Sequence, residues 1–263
     1  MASIDLNADM GEYQDAAASM REAALMAQIS SCSIACGGHT GTAETMRTTL
    51  LRAQASSVRC GVHPSFPDQE NFGRVALAIA PDKLRGSLSK QIEVCLAIAQ
   101  KLDVTLYHLK PHGALYNVAA GSQSLAEMIV TLTKSYGLKL YGPPGSALET
   151  QAMMAGLAFV AEGFVDRSYQ PSGALVPRAQ AGAIIPSVPE RVHQALSLAQ
   201  GRMLSLPPLP GTAPKLLSLH VKTLCIHGDD PLALETAEAI SAALAGLAIE
   251  VVPPSTIPER GLS

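Results

Sequence analysis

The 263-residue sequence lacks the features that mark membrane, secreted and nucleic-acid-binding proteins. Its longest apolar runs are far too short to cross a bilayer, and its polar N-terminus does not have the charged-then-apolar layout of a signal peptide. Charged residues make up only 16% of the chain, with a net charge of −3 and no basic stripe. Neither nucleic acid nor a membrane surface is therefore an expected partner. Since hydrophobic residues make up 48%, we expect a globular, cytoplasmic protein.

The sequence also lacks a cysteine pattern for disulfides or zinc. Its five cysteines are odd in number and widely spaced, with no C-x-x-C pair and no accompanying histidine spacing typical of zinc. We expect reduced thiols, most of them buried as small hydrophobic side chains. The cysteines are Cys32, Cys36, Cys60, Cys95 and Cys225.

Several common catalytic motifs are missing. The sequence contains no G-x-x-x-x-G-K-[ST] phosphate loop, no G-x-G-x-x-G after a strand, no G-x-S-x-G elbow and no H-E-x-x-H. No serine or cysteine lies in a recognisable nucleophile frame, so acyl-enzyme chemistry is disfavoured. Acid–base and electrostatic catalysis remain.

Short strand-like runs alternate with helical stretches along the whole chain. This alternation, without a break in composition, predicts one α/β domain over 1–263 with a parallel sheet. About seven strand–helix units would close into a barrel, and a doubly wound open sheet is the alternative. The predicted strands cover 3–7, 32–36, 59–63, 105–110, 138–141, 157–160 and 223–227.

Helices are predicted between these strands. One follows Pro81, where apolar residues recur at helical spacing, and capping boxes at Ser124 and Ser146 predict two more starts. The others cover about 19–30, 43–57, 190–200 and 231–245. Two stretches fit neither element: 163–186, predicted to be a functional loop, and the proline-rich 202–214, predicted to be a mobile excursion.

Polar side chains follow the C-terminal ends of five predicted strands. Because those ends meet at one rim of a barrel, we expect them to form an active-site mouth. The residues are Asp5, Asn7, Asp9, Glu12, His39, His63, Lys110, His112, Tyr116, Asn117, His227 and Asp229. Asp5 could instead cap a turn, and His108 and His220 are expected to be structural histidines.

Eight short strings together resemble one known family. They are 5–12 (DLNADMGE), 34–39 (IACGGH), 61–68 (GVHPSFPD), 72–74 (FGR), 110–117 (KPHGALYN), 166–169 (DRSY), 175–178 (LVPR) and 227–229 (HGD). Their order and coverage of nearly the whole chain resemble the LamB/YcsF lactam-utilisation family, which includes the A subunit of the bacterial 5-oxoprolinase. The sequence departs from the family's usual pattern at Gly38, Thr42 and Val75.

The resemblance implies a fold, a reaction and partners. The fold would be a TIM-like barrel of about seven parallel strands, related to glycoside hydrolase and deacetylase barrels. The reaction would be the opening of 5-oxo-L-proline to L-glutamate with ATP as co-substrate, assisted by carboxylase-like subunits B and C. A divalent metal is possible.

The resemblance also adds loop residues to the site and suggests roles. Arg74, Asp166, Arg167, Tyr169 and Arg178 are expected to bind substrate, although Arg167 and Arg178 viewed alone could be solvated loop charges. Asp5 and Asp9 are the candidates for a base or for orienting a metal, and Lys110, Arg74 and Arg178 would hold phosphate or the substrate carboxylate. His112, with His39 and His63, would move protons or hold a divalent ion.

Two other functions remain open. One is a metal-dependent, deacetylase-like hydrolase in which Asp5, His39 and His63 bind the metal. The other is a non-catalytic subunit that only binds the lactam or acts as a scaffold for its partners.

Overall fold

In the computed structural model, which describes residues 2–206 and 213–254, seven parallel strands close into a barrel. The strand order is β1-β2-β3-β4-β5-β6-β9, and β9 pairs back onto β1. The strands are β1 (Ala2–Met10), β2 (Ser31–Ala35), β3 (Arg59–His63), β4 (Leu106–Leu109), β5 (Lys139–Gly142), β6 (Phe159–Phe164) and β9 (Thr223–Ile226). The predicted barrel of about seven strands is confirmed, and the open doubly wound sheet is wrong.

Three short strands lie outside this ring. β7 (Arg202–Leu204) and β8 (Leu216–Ser218) form an antiparallel pair, while β10 (Ile249–Val251) pairs in parallel with the first residues of β1. The predicted excursion over 202–214 is therefore wrong at its start, because 202–204 is paired strand. Residues 207–212 of that stretch lie outside the described residues.

Eight helices occur within the described part of the chain, and most of them follow a barrel strand. They are α1 (Ala16–Met26), α2 (Ala43–Ala55), α3 (Pro81–Lys101), α4 (Gly113–Gly121), α5 (Gln123–Ser135), α6 (Ala147–Met154), α7 (Val188–Ala199) and α8 (Ala233–Gly246). None of them combines the length and the apolar character that a membrane crossing requires.

Side-chain caps explain where several helices begin. Ser146 caps α6 as predicted by accepting a hydrogen bond from the Glu149 amide. The capping box predicted at Ser124 is wrong, because Ser122 is the residue that caps α5, through the Leu125 amide. Helix α4, which begins directly after His112, was not predicted from the sequence.

Alternation along β1 separates the apolar core from the barrel interior. Ile4, Leu6 and other apolar residues belong to a buried cluster that includes the helices' apolar faces. The intervening residues Asp5, Asn7 and Asp9 are also buried and contact side chains from other barrel strands. The interior of this barrel is thus polar along β1, whereas branched apolar layers usually fill such barrels.

Space inside the barrel permits no side chain at Gly61 on β3. A β-carbon at Gly61 would lie 2.3 Å from the His108 ring. We expect Gly61→Ala to lower the free energy of unfolding by about 2 kcal/mol, since overpacked cores typically lose about 1–3 kcal/mol. Urea denaturation followed by circular dichroism measures this change.

Gly86 in α3 provides the matched control. A β-carbon there would meet no atom within 4 Å, so Gly86→Ala should raise stability by about 0.5–1 kcal/mol through helix propensity. Equal effects of the two substitutions would contradict the packing described for β3.

Candidate active site

A cavity of about 390 Å³ opens at the C-terminal ends of the barrel strands. It has the size of a small-molecule site. The predicted residues that line it are Asp9, His63, Arg74, Lys110, His112, Tyr116, Asn117, Arg167, Tyr169, Arg178 and His227. The predicted residues Asp5, Asn7, Glu12, His39, Asp166 and Asp229 do not line it, and most of them contact residues that do.

The Lys110 ammonium lies at the floor of the cavity among buried acidic groups. Its Nζ is 2.8 Å from Asp9 Oδ1, 2.9 Å from Glu162 Oε1 and 3.0 Å from Cys225 Sγ. Burial by itself would lower the pKa of Lys110, but the negative charges around it raise that pKa well above its ordinary value. Lys110 is therefore a fixed positive charge facing the cavity.

Glu162 is a site residue that the sequence analysis missed. It lies on β6, lines the cavity and is 1% exposed. The strand was predicted to end at residue 160, whereas it continues to Phe164. The available signal was a charged residue within an apolar run. Glu162 lies two residues before Phe164, and this spacing places both side chains on one face of a strand, as along β1.

Backbone carbonyls orient the rings of His63 and His112. His63 Nδ1 donates to the Lys110 carbonyl at 2.7 Å, and His112 Nε2 donates to the Phe72 carbonyl at 2.9 Å. The remaining ring nitrogens, His63 Nε2 and His112 Nδ1, are 3.0 Å apart. Burial and the neighbouring histidines hold the pKa of His112 well below its ordinary value, so its ring is neutral.

The turn that carries Phe72 is shaped for this contact. Phe72 has a left-handed φ of +53°, and Gly73 follows with φ +64°. A β-carbon on Gly73 would lie 2.9 Å from His39 and 3.0 Å from the His112 ring. The Phe72-Gly73 pair therefore brings a carbonyl to His112 that a larger residue at 73 would displace.

His39, held by Glu12, packs against the His112 ring. His39 stacks on His112 with 3.6 Å between centroids, and its Nε2 is 2.7 Å from Glu12 Oε1. Burial and the Asp9 charge raise the pKa of Glu12 to about 8, and burial lowers the pKa of His39 to about 4. The pair is thus neutral near pH 7 and joined by one hydrogen bond.

Charged pairs surround the mouth of the cavity. His227 Nδ1 is 2.8 Å from Asp166 Oδ2, and Arg74 is 2.6 Å from Asp229. Although burial opposes ionisation, His227 lowers the pKa of Asp166 to about 2. The Arg178 guanidinium has a single long contact in the described part of the chain, 3.9 Å from Asp229, and its side chain is 32% exposed.

The loop residues Arg167 and Tyr169 hold the loop itself. Arg167 donates to the carbonyls of Ala183 and Val176, and the Tyr169 hydroxyl accepts from the Phe164 amide. Both side chains line the cavity, but the Arg167 guanidinium and the Tyr169 hydroxyl form hydrogen bonds with backbone groups. Their predicted role in binding substrate stays a prediction, while their role in shaping the wall is visible.

Asp5 lies deeper in the barrel than Asp9. Its carboxylate accepts hydrogen bonds from Ser30, Ser31 and Thr223, at 2.6, 2.7 and 2.6 Å. It does not line the cavity, so this geometry does not support its predicted roles as base or metal ligand. Among the described residues, the groups spaced to share a cation are Asp9 with His63 and His112, and Glu12 with His39 and His112.

Gly38, a departure from the family's usual pattern, is explained by its neighbours. A β-carbon there would lie 2.3 Å from Gln91 Oε1 and 2.4 Å from Ser65 Oγ. Gln91 accepts from the Ser65 amide and donates to the Ser65 carbonyl. Gln91 thus occupies the space that a larger residue at 38 would need.

Comparison with known proteins assigns the family. The model of the LamB/YcsF family matches residues 4–259. The chain belongs to the LamB/YcsF family. A LamB/YcsF relative from Methylococcus capsulatus, named as the A subunit of 5-oxoprolinase, is 38% identical over 251 residues, covering 95% of each sequence.

Solved structures agree with this assignment. The lactam utilization protein from Thermus thermophilus superposes on this LamB/YcsF chain with a TM-score of 0.83 at 33% identity, covering 95% of this chain and 99% of that one. A catalytic module of the pneumococcal exo-β-D-N-acetylglucosaminidase StrH superposes with a TM-score of 0.51 at 9% identity, covering 91% and 83%. The second likeness shows a shared barrel fold alone.

The position of Asp5 predicts a pH effect on stability. Burial raises its pKa from 3.8 to about 6, so the folded state holds a proton that the unfolded state has already lost. This contribution to stability is fully present only well below the unfolded pKa of 3.8 and is lost as pH rises through 6. Asp5→Asn removes it, so the fall in unfolding free energy between pH 4 and pH 7 should be smaller than in the wild type by roughly 2 kcal/mol.

Urea denaturation at both pH values measures this difference. Asp82→Asn is the control, because Asp82 is an exposed residue in the first turn of α3, and it should leave the fall as in the wild type. If Asp5→Asn shows the same fall as the wild type, the buried environment assigned to Asp5 is wrong.

Proposed function

We propose that this chain is the A subunit of an ATP-dependent 5-oxoprolinase and that its cavity opens 5-oxo-L-proline to L-glutamate by hydrolysis. The names of the related proteins, which refer to 5-oxoprolinase and to lactam utilization, support the reaction and the substrate class. ATP as co-substrate and carboxylase-like subunits B and C as partners are parts of the same proposal.

Two polar atoms in the cavity wall carry the proposal. The Tyr116 hydroxyl and Glu162 Oε2 are buried and lack a well-directed hydrogen bond with the described residues. Burial raises the pKa of Tyr116, and both the Glu162 charge and a poorly directed hydrogen-bonding contact with Glu162 add to this. Both side chains line the cavity. A lactam has its N–H and C=O on the same edge because the ring holds the amide cis, and a carboxylate oxygen and a phenol hydroxyl are their complements. Unsatisfied buried groups of this kind favour a ligand that pairs with both.

The mouth provides a cation for the substrate carboxylate. Arg74 is already held by Asp229 and lies over the Phe72 ring, 4.6 Å from its centroid. Arg178, with its one long contact, retains donors for a second anion. A guanidinium binds a carboxylate through two parallel hydrogen bonds, so we assign the carboxylate of 5-oxoproline to Arg178.

The floor of the cavity provides the groups for hydrolysis. The lactam C–N bond has partial double-bond character, and transfer of the γ-phosphoryl group of ATP to the lactam oxygen would weaken it, releasing ADP. Water then adds to the activated carbon, and the C–N bond breaks as the nitrogen takes up a proton, which leaves γ-glutamyl phosphate. A second water hydrolyses this acyl phosphate to glutamate and phosphate. We assign activation of the first water to Asp9, His63 and His112, and stabilisation of the developing negative charge to Lys110.

Reconstitution tests the reaction. Co-expressed with candidate B and C subunits, the wild-type chain should release glutamate and phosphate from 5-oxoproline and ATP, and omission of the chain should abolish release. Asp9→Asn should lower kcat by about 10²–10⁴-fold, as loss of a group in acid–base catalysis typically does. Phosphate release and glutamate formation are measured together.

The scaffold alternative makes the opposite prediction. A chain that only binds the lactam or its partners would give wild-type turnover with Asp9→Asn, provided that the variant folds and copurifies with both B and C. Thermal unfolding and size-exclusion chromatography establish those two conditions.

Arg178 should affect substrate binding more than turnover. Arg178→Gln removes the charge that faces the substrate carboxylate, so KM for 5-oxoproline should rise at least tenfold with a smaller change in kcat. Arg202→Gln is the control, because Arg202 is exposed on β7 and does not line the cavity. An unchanged KM in Arg178→Gln would remove Arg178 from the substrate site.

A further inference from the structure

Contacts on the far sides of two cavity rings fix which nitrogen of each ring faces the cavity. His63 donates its Nδ1 proton to the Lys110 carbonyl, and His112 donates its Nε2 proton to the Phe72 carbonyl. A carbonyl only accepts, so each ring, when neutral, has a lone pair on its other nitrogen. These two nitrogens, His63 Nε2 and His112 Nδ1, face each other at 3.0 Å.

Two lone pairs at this distance repel unless a positive centre lies between or beside them. A carboxylate oxygen near this pair would also be stabilised by a positive centre. Asp9 Oδ2 is 3.4 Å from His63 Nε2, while Asp9 Oδ1 pairs with the Lys110 ammonium. Ligands bound to one ion at about 2.0–2.2 Å lie roughly 3.0–3.5 Å from each other. The separations between these side-chain atoms therefore suit a shared ion.

Charge at the floor of the cavity favours the same occupant. Lys110 faces two buried carboxylates, Asp9 and Glu162, so one negative charge in this group lacks a counterion within it. Buried carboxylates are usually paired or bound to a metal.

We propose that Asp9, His63 and His112 bind a divalent transition-metal ion of the zinc type. Imidazole nitrogens favour this class over Mg²⁺ or Ca²⁺, which prefer oxygen ligands. All three side chains line the cavity, so a fourth position is open to water or substrate, as in catalytic zinc sites. The hydrogen bonds to Lys110 and Phe72 orient the rings in the way that outer contacts orient metal-bound histidines.

The inference rests on the proposed function in one respect, because the ion would be held by the three residues to which we assign activation of the attacking water. The test below measures binding and not turnover, so the metal site can fail while the proposed reaction stands. Conversely, the site can exist if the substrate is a different amide.

The experiment uses the full chain without an affinity tag. After treatment with a chelator, the protein is dialysed against Zn²⁺ and analysed by inductively coupled plasma mass spectrometry. The wild type should bind about one Zn²⁺ per chain and gain thermal stability, since an ion that binds only the folded state raises Tm. Co²⁺ in place of Zn²⁺ should give visible d–d absorption that reports nitrogen and oxygen ligands.

Two variants and a control localise the site. His63→Gln and His112→Gln should each weaken Zn²⁺ binding at least tenfold and lose the Co²⁺ spectrum, while retaining a cooperative unfolding transition. His227→Gln replaces a cavity histidine that pairs with Asp166 and should bind Zn²⁺ like the wild type.

Two results would overturn the proposal. The first is a wild type that binds no Zn²⁺ above the level of the His63→Gln variant, which would mean that a shared proton joins the two rings. The second is Zn²⁺ binding that both glutamine variants retain, which would place the ion elsewhere.

Discussion

The buried ammonium of Lys110 is the interaction on which the organisation of the site depends. Through Asp9, Glu162 and Cys225 it joins β4 to β1, β6 and β9 across the barrel. The Lys110 backbone carbonyl also accepts a hydrogen bond from His63 Nδ1. The same residue therefore supplies the buried positive charge and orients the His63 ring. Removing one partner of such a buried group typically costs about 3–5 kcal/mol, which ties the site's charge balance to the stability of the barrel.

Polar side chains on β1 continue from the groups around Lys110 into the barrel interior. Asp9 contacts Lys110, Asn7 bridges Glu162 and Thr223, and Asp5 is held by four hydroxyl groups. Burial raises the pKa of Asp5 although its hydrogen bonds oppose this, whereas His63 and Lys110 lower the pKa of Asp9 against the effect of burial. Two carboxylates on one strand thus serve different purposes, one facing the cavity and one supporting the barrel interior.

Much of the fold and part of the site could be predicted from local signals, and the failures were specific. The run of strands and helices predicted the barrel, and polar residues at the strand ends predicted the cavity wall. Glu162 was missed because β6 was expected to stop at residue 160, and α4 was missed because its apolar residues follow His112 without a polar cap. Strand length depends on pairing with β5 and β9, which no single segment reveals.

The sequence by itself determined which residue types stand at the rim, since a period of two along each strand places alternate side chains on one face. It could not determine which of Asp5 and Asp9 reaches the cavity, because the first strand was predicted to end at residue 7 and its actual end at Met10 depends on pairing with β2. Only the tertiary structure decided which nitrogens of His63 and His112 face each other, since the carbonyls of Lys110 and Phe72 come from other segments. Hydrogen bonds between distant segments form only once the barrel closes, and they set both proton positions and charge.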